Sequence, residues 1–310
     1  MRIATTYTSE SGYYYIGTKF LTDPYYSVSF ENATGFKIRG NLIFLAPATY
    51  SYGSRSKNGY SANMYLSASC WRWATINNAA YYYREKLCPS WGITKPIGSL
   101  RIWDMRMSGN WGGSTPMLHN ITTSPALIAS VLSVYSINVN MGAAAAVVLA
   151  LLHFVLPDMF ILNKDNLTEK ITSTVLHESA HASHYVKGGR SYWAQYITQI
   201  VANNGYGDEE NNNNGIIGVG EMWGNFAEYI AINTYYSTTE FAIDNRDWMK
   251  PRRLKRIHEE IPNASVGNLF NCLTSDITNL SLLKAKLKNV FGTYHGIDYR
   301  GRIDEIFAEG

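Results

Sequence analysis

Cysteine is scarce in this chain: Cys70, Cys88 and Cys272 are the only three in 310 residues. That excludes a dense disulfide scaffold, and no two of them form a C-x-x-C pair. Cys70 and Cys88 are left either as a pair in an oxidising compartment or as free buried thiols. Charge is also low. Only 16% of residues are charged and the net charge is +3, so no strong basic field points to nucleic acid as a partner. The start, Met1-Arg2-Ile3 running into Ala4-Thr5-Thr6-Tyr7-Thr8, lacks a charged n-region followed by an apolar stretch. No signal peptide is therefore expected in this chain.

Long apolar runs are nearly absent as well. The one exception, Gly142 to Leu156 (GAAAAVVLALLHFVL), is closed by Pro157-Asp158 and contains His153. As a helix it would measure about 22 Å, short of the ~30 Å hydrocarbon core, so a buried core helix is expected and not a membrane span. What the chain does have is apolar bulk. It is 46% hydrophobic and 14% aromatic, with 23 Tyr, which is incompatible with disorder. Its length allows one large domain or two small ones.

Short strands are expected at Tyr25–Phe30, 35–38 and 41–45, between Asp-Pro, Asn and Gly turn signals. Residues 50–62 read as a loop. Leu66 to Cys88 runs without Gly or Pro and stops at Pro89, the pattern of a long helix. Leu100–Trp103 and Asp158–Leu162 read as strands, 109–116 as a loop, and 124–137 and 141–156 as helices. Asn166-x-x-Glu169 suits a capping box, and the helix it opens is expected to stop at Gly188-Gly189. The polar, Gly-rich stretch 203–220 reads as a solvated loop, since its acids do not follow the calcium-loop spacing. A helix is expected over Glu221–Tyr236. The basic run Arg246–His258 reads as a solvated helix face, and the aromatics of Trp71–Tyr83 as core. His119, His153 and His258 are expected to be structural or surface residues.

Chemistry enters with His177-Glu178-Ser179-Ala180-His181, an H-E-x-x-H motif on a predicted helix. A spacing of four puts both imidazoles on one face, a turn apart. Both can then bind one Zn2+ ion, and Glu178 can serve a water there as general base. A catalytic zinc wants a third protein ligand and an open position. Glu221 is the first choice, with Glu228 and His184 as alternatives. His184 is disfavoured because one straight helix rarely supplies three ligands to a tetrahedral ion. The longer metzincin pattern is excluded, since position 187 is Lys. An imidazole ligand needs its outer N–H fixed, for which Asn225 and Glu228 are the candidates.

This arrangement resembles the gluzincin metallopeptidases, in which the Glu ligand comes from a later helix; Gly220-Glu221-x-Trp223-x-x-Phe226-Ala227-Glu228-Tyr229 looks like their ligand helix. More closely, the chain resembles a group of exported zinc metallopeptidases of gut bacteria. The resembling pieces are Trp71-x-x-Ala74-Thr75-x-Asn77-Asn78-Ala79, Leu100-Arg101-Ile102-Trp103, Leu156-Pro157-Asp158, His177 to Tyr185 and Gly220 to Gly224. They span about residues 65 to 236. The resemblance implies an α+β, zincin-like catalytic domain over 46–310 with a mostly helical C-terminal part. It also implies a β remnant over 1–45, the end of a carboxypeptidase regulatory-like module whose front is missing. Export of the full-length form, to the periplasm, surface or medium, follows as an expectation. So does a protein or peptide substrate, with no nucleic acid and no membrane span, hydrolysed with Glu178 as general base. An oxyanion donor is implied from a downstream Tyr or His. Tyr229, Tyr235, Tyr294 and His295 are available, and the sequence does not choose among them. Leu100–Trp103 and Asp158–Leu162 are the candidates for a substrate-binding edge strand. The rival class is a non-catalytic zinc-containing surface module that binds protein or glycan.

Overall fold

Arg101–Asp104 (β4), with Ile102 and Trp103 at its centre, and the apolar Met159–Ile161 (β6) are short runs buried on nearly every residue. Strands covered on both faces read this way. They form the centre of a four-stranded sheet. In the computed structural model of the chain, which describes residues 4–40, 46–65, 68, 70–106, 112–121, 125–134, 156–164, 167–207, 215–243 and 248–309, that sheet has the order β2-β4-β6-β5. Lys37–Arg39 (β2) runs parallel to β4, and β4 parallel to β6. Gly113–Ser114 (β5) closes the other edge antiparallel to β6, with Ser114 opposite Phe160. A separate antiparallel ladder joins Tyr25–Ser29 (β1) to Thr49–Ser54 (β3). Both N-terminal pairings cross residue 45: β1 completes its ladder with β3, and β2 lies in the main sheet.

This order corrects two expectations. Neither strand expected to present an edge does so: β4 and β6 are central, and the edges are β2 and β5. The run expected as a loop at 109–116 contains β5. Two residues are too few for a period-two pattern, and glycine carries no strand signal.

The rest is helical, so the chain is mixed α and β as expected. Trp71–Tyr82 (α1) continues through a π turn at Tyr83–Leu87 into Cys88–Trp91 (α2). Leu118–Ile121 (α3) and Pro125–Val134 (α4) follow. Thr168–Ala202 (α5) is capped by Leu167 without a side-chain bond; Asn166 lies outside the described residues. The stop signal at Gly188-Gly189 is a kink: Gly189 has φ 82° and ψ 170°, and the helix resumes beyond it. Only glycine adopts that conformation at low cost. Gly215–Tyr236 (α6) begins six residues before the expected start, so Glu221 sits in its second turn and does not open the helix. Its extra turn, Gly215-Ile216-Ile217-Gly218-Val219-Gly220, looked like loop because of three glycines, but its apolar residues are buried in the core. The C-terminal part is Arg252–Glu260 (α7), Val266–Asn271 (α8), Leu280–Phe291 (α9), the hairpin Thr293–Tyr294 (β7) with Ile297–Asp298 (β8), and Arg300–Glu309 (α10).

Packing divides into two apolar clusters. One lies between the sheet, α1 and the second half of α5; the other lies between α6 and the C-terminal helices. The pair α5 and α6 packs across the seam. A buried polar tie sets α5 against the sheet. Arg72 on α1 donates from Nε to Asp104 Oδ1 at 2.5 Å, and from Nη2 to the carbonyl and side-chain oxygens of Asn163 at 2.7 and 3.1 Å. Asn163 Nδ2 then donates to Thr174 on α5 at 3.1 Å. Breaking such a pair on one side costs about 3–5 kcal/mol, so this tie fixes where the H-E-x-x-H turn lies above the sheet.

All three cysteines are buried free thiols. The basic face of α7 is solvated and paired, with Lys255 to Glu259 at 2.7 Å and Arg256 to Glu260 at 2.8 Å. His258 bonds the Ala264 carbonyl at 2.7 Å, a structural role. Residues 135–155, with the expected helix at 141–156 and His153, and residues 208–214 of the Asn-rich stretch lie outside the described residues. Among the described residues no helix is long and apolar enough to cross a membrane.

Candidate metal centre

On α5 the four-residue spacing brings the His177 and His181 rings to a centroid distance of 4.6 Å, with their Nε2 atoms 3.0 Å apart. Helix α6 crosses directly over them at Gly224. A Cβ there would lie 2.8 Å from His181 Cε1 and 2.9 Å from His177 Cε1, so only a bare Cα allows the approach. One turn earlier on α6, Glu221 reaches both rings: Oε2 is 3.4 Å from His177 Nε2, and Oε1 is 3.3 Å from His181 Nε2. The ligand atoms of His177, His181 and Glu221 lie within 4.8 Å of one another, and this is the one such cluster among the described residues. Ligand atoms about 2.0–2.1 Å from a tetrahedral ion stand roughly 3.3–3.4 Å apart; the two imidazole–carboxylate contacts have that spacing, and the two Nε2 atoms are somewhat closer.

The electrostatics also call for a cation. Burial pushes the Glu221 carboxyl up, but His181 and His177 outweigh it and hold the group well below the usual carboxylate range. Burial pushes His177 down, yet its bonds to Glu221 and Glu228 carry it well above the ordinary histidine value. A proton thus fills the cationic role among donors that also suit a divalent metal. The chemistry of the set, two imidazoles and a carboxylate, fits zinc.

The surrounding contacts sort the remaining candidates. Glu228 Oε2 is 3.0 Å from His177 Nδ1, and Ser173 Oγ donates to Glu228 Oε1. Glu228 therefore holds the outer nitrogen of His177 and leaves its Nε2 lone pair for a ligand. Asn225 does not touch an imidazole; its Nδ2 donates to the Glu221 carbonyl at 2.8 Å. His184 is not among the converging donors. It is buried against Tyr192 and Trp193, with ring centroids at 5.1 and 5.6 Å, and neither nitrogen has a hydrogen-bond partner among the described residues. Burial, then the neighbouring His181, push it down to about 3, so it packs as a neutral ring. His181 Nδ1 is likewise buried without a partner among the described residues.

The expected oxyanion donors make other contacts. Tyr229 sits under Lys255, and Tyr235 packs edge-on with Tyr82 and Tyr236. Tyr294 and His295 are on the exposed β7–β8 hairpin. The tyrosine that does reach the cluster is Tyr196, whose hydroxyl donates to Glu221 Oε1. Its ring stacks on Trp193 at 4.5 Å and fills the space left by Gly220. Sequence reasoning missed it because it comes from beyond the Gly189 kink, where helical spacing from His181 no longer holds.

Glu178 points to the sheet edge. Thr115 Oγ1 donates to its Oε2 at 2.8 Å and to its main-chain carbonyl at 2.9 Å. Burial raises its carboxyl, against the lowering effect of His177 and His181. Thr115 and the neighbouring Gly113 were also missed, since their run was expected to be a loop. The site opens on one side: His177 and Glu228 side chains are 11% and 27% exposed, against 3% for His181 and 4% for Glu221. Compared with protein-family models, curated proteins and solved structures, the chain finds no match. The site's own chemistry therefore carries its interpretation.

Proposed function

We propose that the chain is a zinc-dependent peptidase of gluzincin type, built on a zincin-like α+β domain, with His177, His181 and Glu221 holding the metal and Glu178 as general base. One observation carries this reading: two imidazole nitrogens and a carboxylate converge at ion-ligand spacing, with a second, separately held carboxyl one residue from the first histidine. A structural zinc site needs no such acid. Zinc held by His177, His181 and Glu221 would supply Lewis acidity and would lower the pKa of a bound water toward about 7.

The protein's part follows from its contacts. Glu178 takes a proton from the attacking water and returns it to the leaving amine. Glu228 and Ser173 keep the His177 ring oriented, and the Tyr196 hydroxyl keeps the Glu221 carboxylate turned toward both rings. Among the described residues β5 pairs with β6 alone, and its Gly113 lies against Glu178. Export of the full-length protein is proposed with this reading, on the resemblance alone.

The test is Glu178→Gln with zinc content and peptide hydrolysis measured together. Cleavage should fall by 10²-fold or more while zinc stays near one per chain; cleavage that persists removes Glu178 from its role. The alternative, a zinc-containing module that binds protein or glycan without cutting it, is favoured by exposed tyrosines of the N-terminal part, among them Tyr13, Tyr15 and Tyr25. Full zinc occupancy with no hydrolysis of denatured proteins or mucin-like substrates would select it.

A further inference from the structure

We infer that Thr115 is a positioning residue for Glu178, an inference that rests on the peptidase reading of the site. Glu178 is buried beside a second acid, Glu221, and a buried carboxylate needs a donor to fix its direction. Among the described residues that donor is Thr115. Its one hydroxyl proton is shared between the main-chain carbonyl and Oε2 of the same residue, at 2.9 and 2.8 Å. The hydroxyl thus ties the end of the Glu178 side chain to its own helical turn and sets its rotamer.

Thr115 is itself held. The Trp193 indole, fully buried, donates from Nε1 to the Thr115 carbonyl at 3.0 Å. The other carboxylate oxygen meets the same strand. A Cβ at Gly113 would lie 2.8 Å from Glu178 Oε1 and 2.9 Å from its Cγ. Gly113 has no positive φ, so glycine is required there for room and not for backbone freedom. Residues two apart in an extended segment present the same face, and Gly113 and Thr115 both present theirs to Glu178. The sheet edge therefore holds Oε2 by a hydrogen bond and packs a bare Cα against Oε1, so both oxygens are placed from the same strand.

The experiment compares Thr115→Val, which keeps the shape and deletes the hydroxyl, with Thr115→Ser, which restores it. Zinc content, steady-state hydrolysis of a peptide and a crystal structure of each zinc-loaded protein are measured. The valine variant should keep its zinc, lose about 10- to 100-fold in kcat with KM within about twofold, and turn Glu178 Oε2 out of its place. The serine variant should recover most of kcat and the parent carboxylate position. Should the valine variant not fold, Thr115→Ala against Thr115→Ser gives the same contrast. An unmoved carboxylate in the valine variant, or a kcat within twofold of the parent, overturns the inference. A parent protein that is zinc-loaded yet cuts nothing refutes the peptidase reading instead, and the crystallographic contrast still decides what Thr115 does.

Discussion

Two buried carboxylates in this protein are pushed in opposite directions. Glu221, on α6, faces two imidazoles and is held ionised far below its ordinary range. Asp158, just before β6, accepts from the Arg101 backbone N–H at 3.1 Å and from Asn120 Nδ2 at 2.7 Å, yet burial dominates and pushes it up to about 7. Both are nearly inaccessible. What separates them is how far opposing charge offsets burial: two imidazoles bear directly on Glu221, whereas for Asp158 the charge of Arg101 is the smallest influence and burial prevails. A buried acid whose partners do not offset burial holds its proton more readily. A buried acid among imidazoles stays charged and stands ready for a cation.

The sharpest way to break this contrast is at Glu221. Glu221→Ala should abolish stoichiometric zinc binding, measured by metal analysis after dialysis, because it removes the one carboxylate among the described residues that meets both rings. Glu228→Ala should lower zinc affinity by about 10- to 100-fold, the usual cost of an outer partner. The reverse ranking would exchange their roles.

Gly224→Ala probes the same side more gently. Alanine gains about 1 kcal/mol of helix propensity over glycine, but its Cβ would press on both imidazoles at 2.8–2.9 Å. Titration with a competing chelator should show weaker zinc binding, although the helix itself is favoured. Unchanged affinity would mean that α6 can slide without cost to the ligands.

The smallest effect is expected on the Asp158 side. Its folded value of about 7 lies above the unfolded value near 4, so the folded state keeps its proton longer. The resulting stability is full below about pH 4, is lost as pH rises to about 7, and is constant above that. Asp158→Asn should flatten thermal stability between pH 4 and 7, by on the order of a few kcal/mol at most, and leave zinc content unchanged. A pH slope equal to the parent's would show that Asp158 is ionised in the fold.

How far the site could be read from sequence follows from the same geometry. His177, His181 and Glu178 lie within one helical turn and a half, where spacing alone fixes which face they share. Glu221 was legible as an acid in a helical stretch, although three glycines hid the turn before it. Gly113, Thr115 and Tyr196 were not legible. The first two come from a strand of two residues and its continuation, too short for periodicity. Tyr196 follows a glycine whose backbone angles reset the helix direction. Three of the sheet's four strands were legible individually, but not the fourth nor the order, because the antiparallel edge is made by tertiary pairing with Phe160 and Ile161, which no local pattern encodes.

That reset at Gly189 has a consequence for how the site comes apart. The half-helix beyond it carries Trp193, which grips the Thr115 carbonyl, and Tyr196, which grips Glu221. The segment that supplies two ligands therefore folds back and latches both the holder of the base and the third ligand. If residues 190–202 open as one local unit, the Thr115 carbonyl and the Glu221 carboxylate lose these partners in the same event, so one local opening reaches both sides of the cluster.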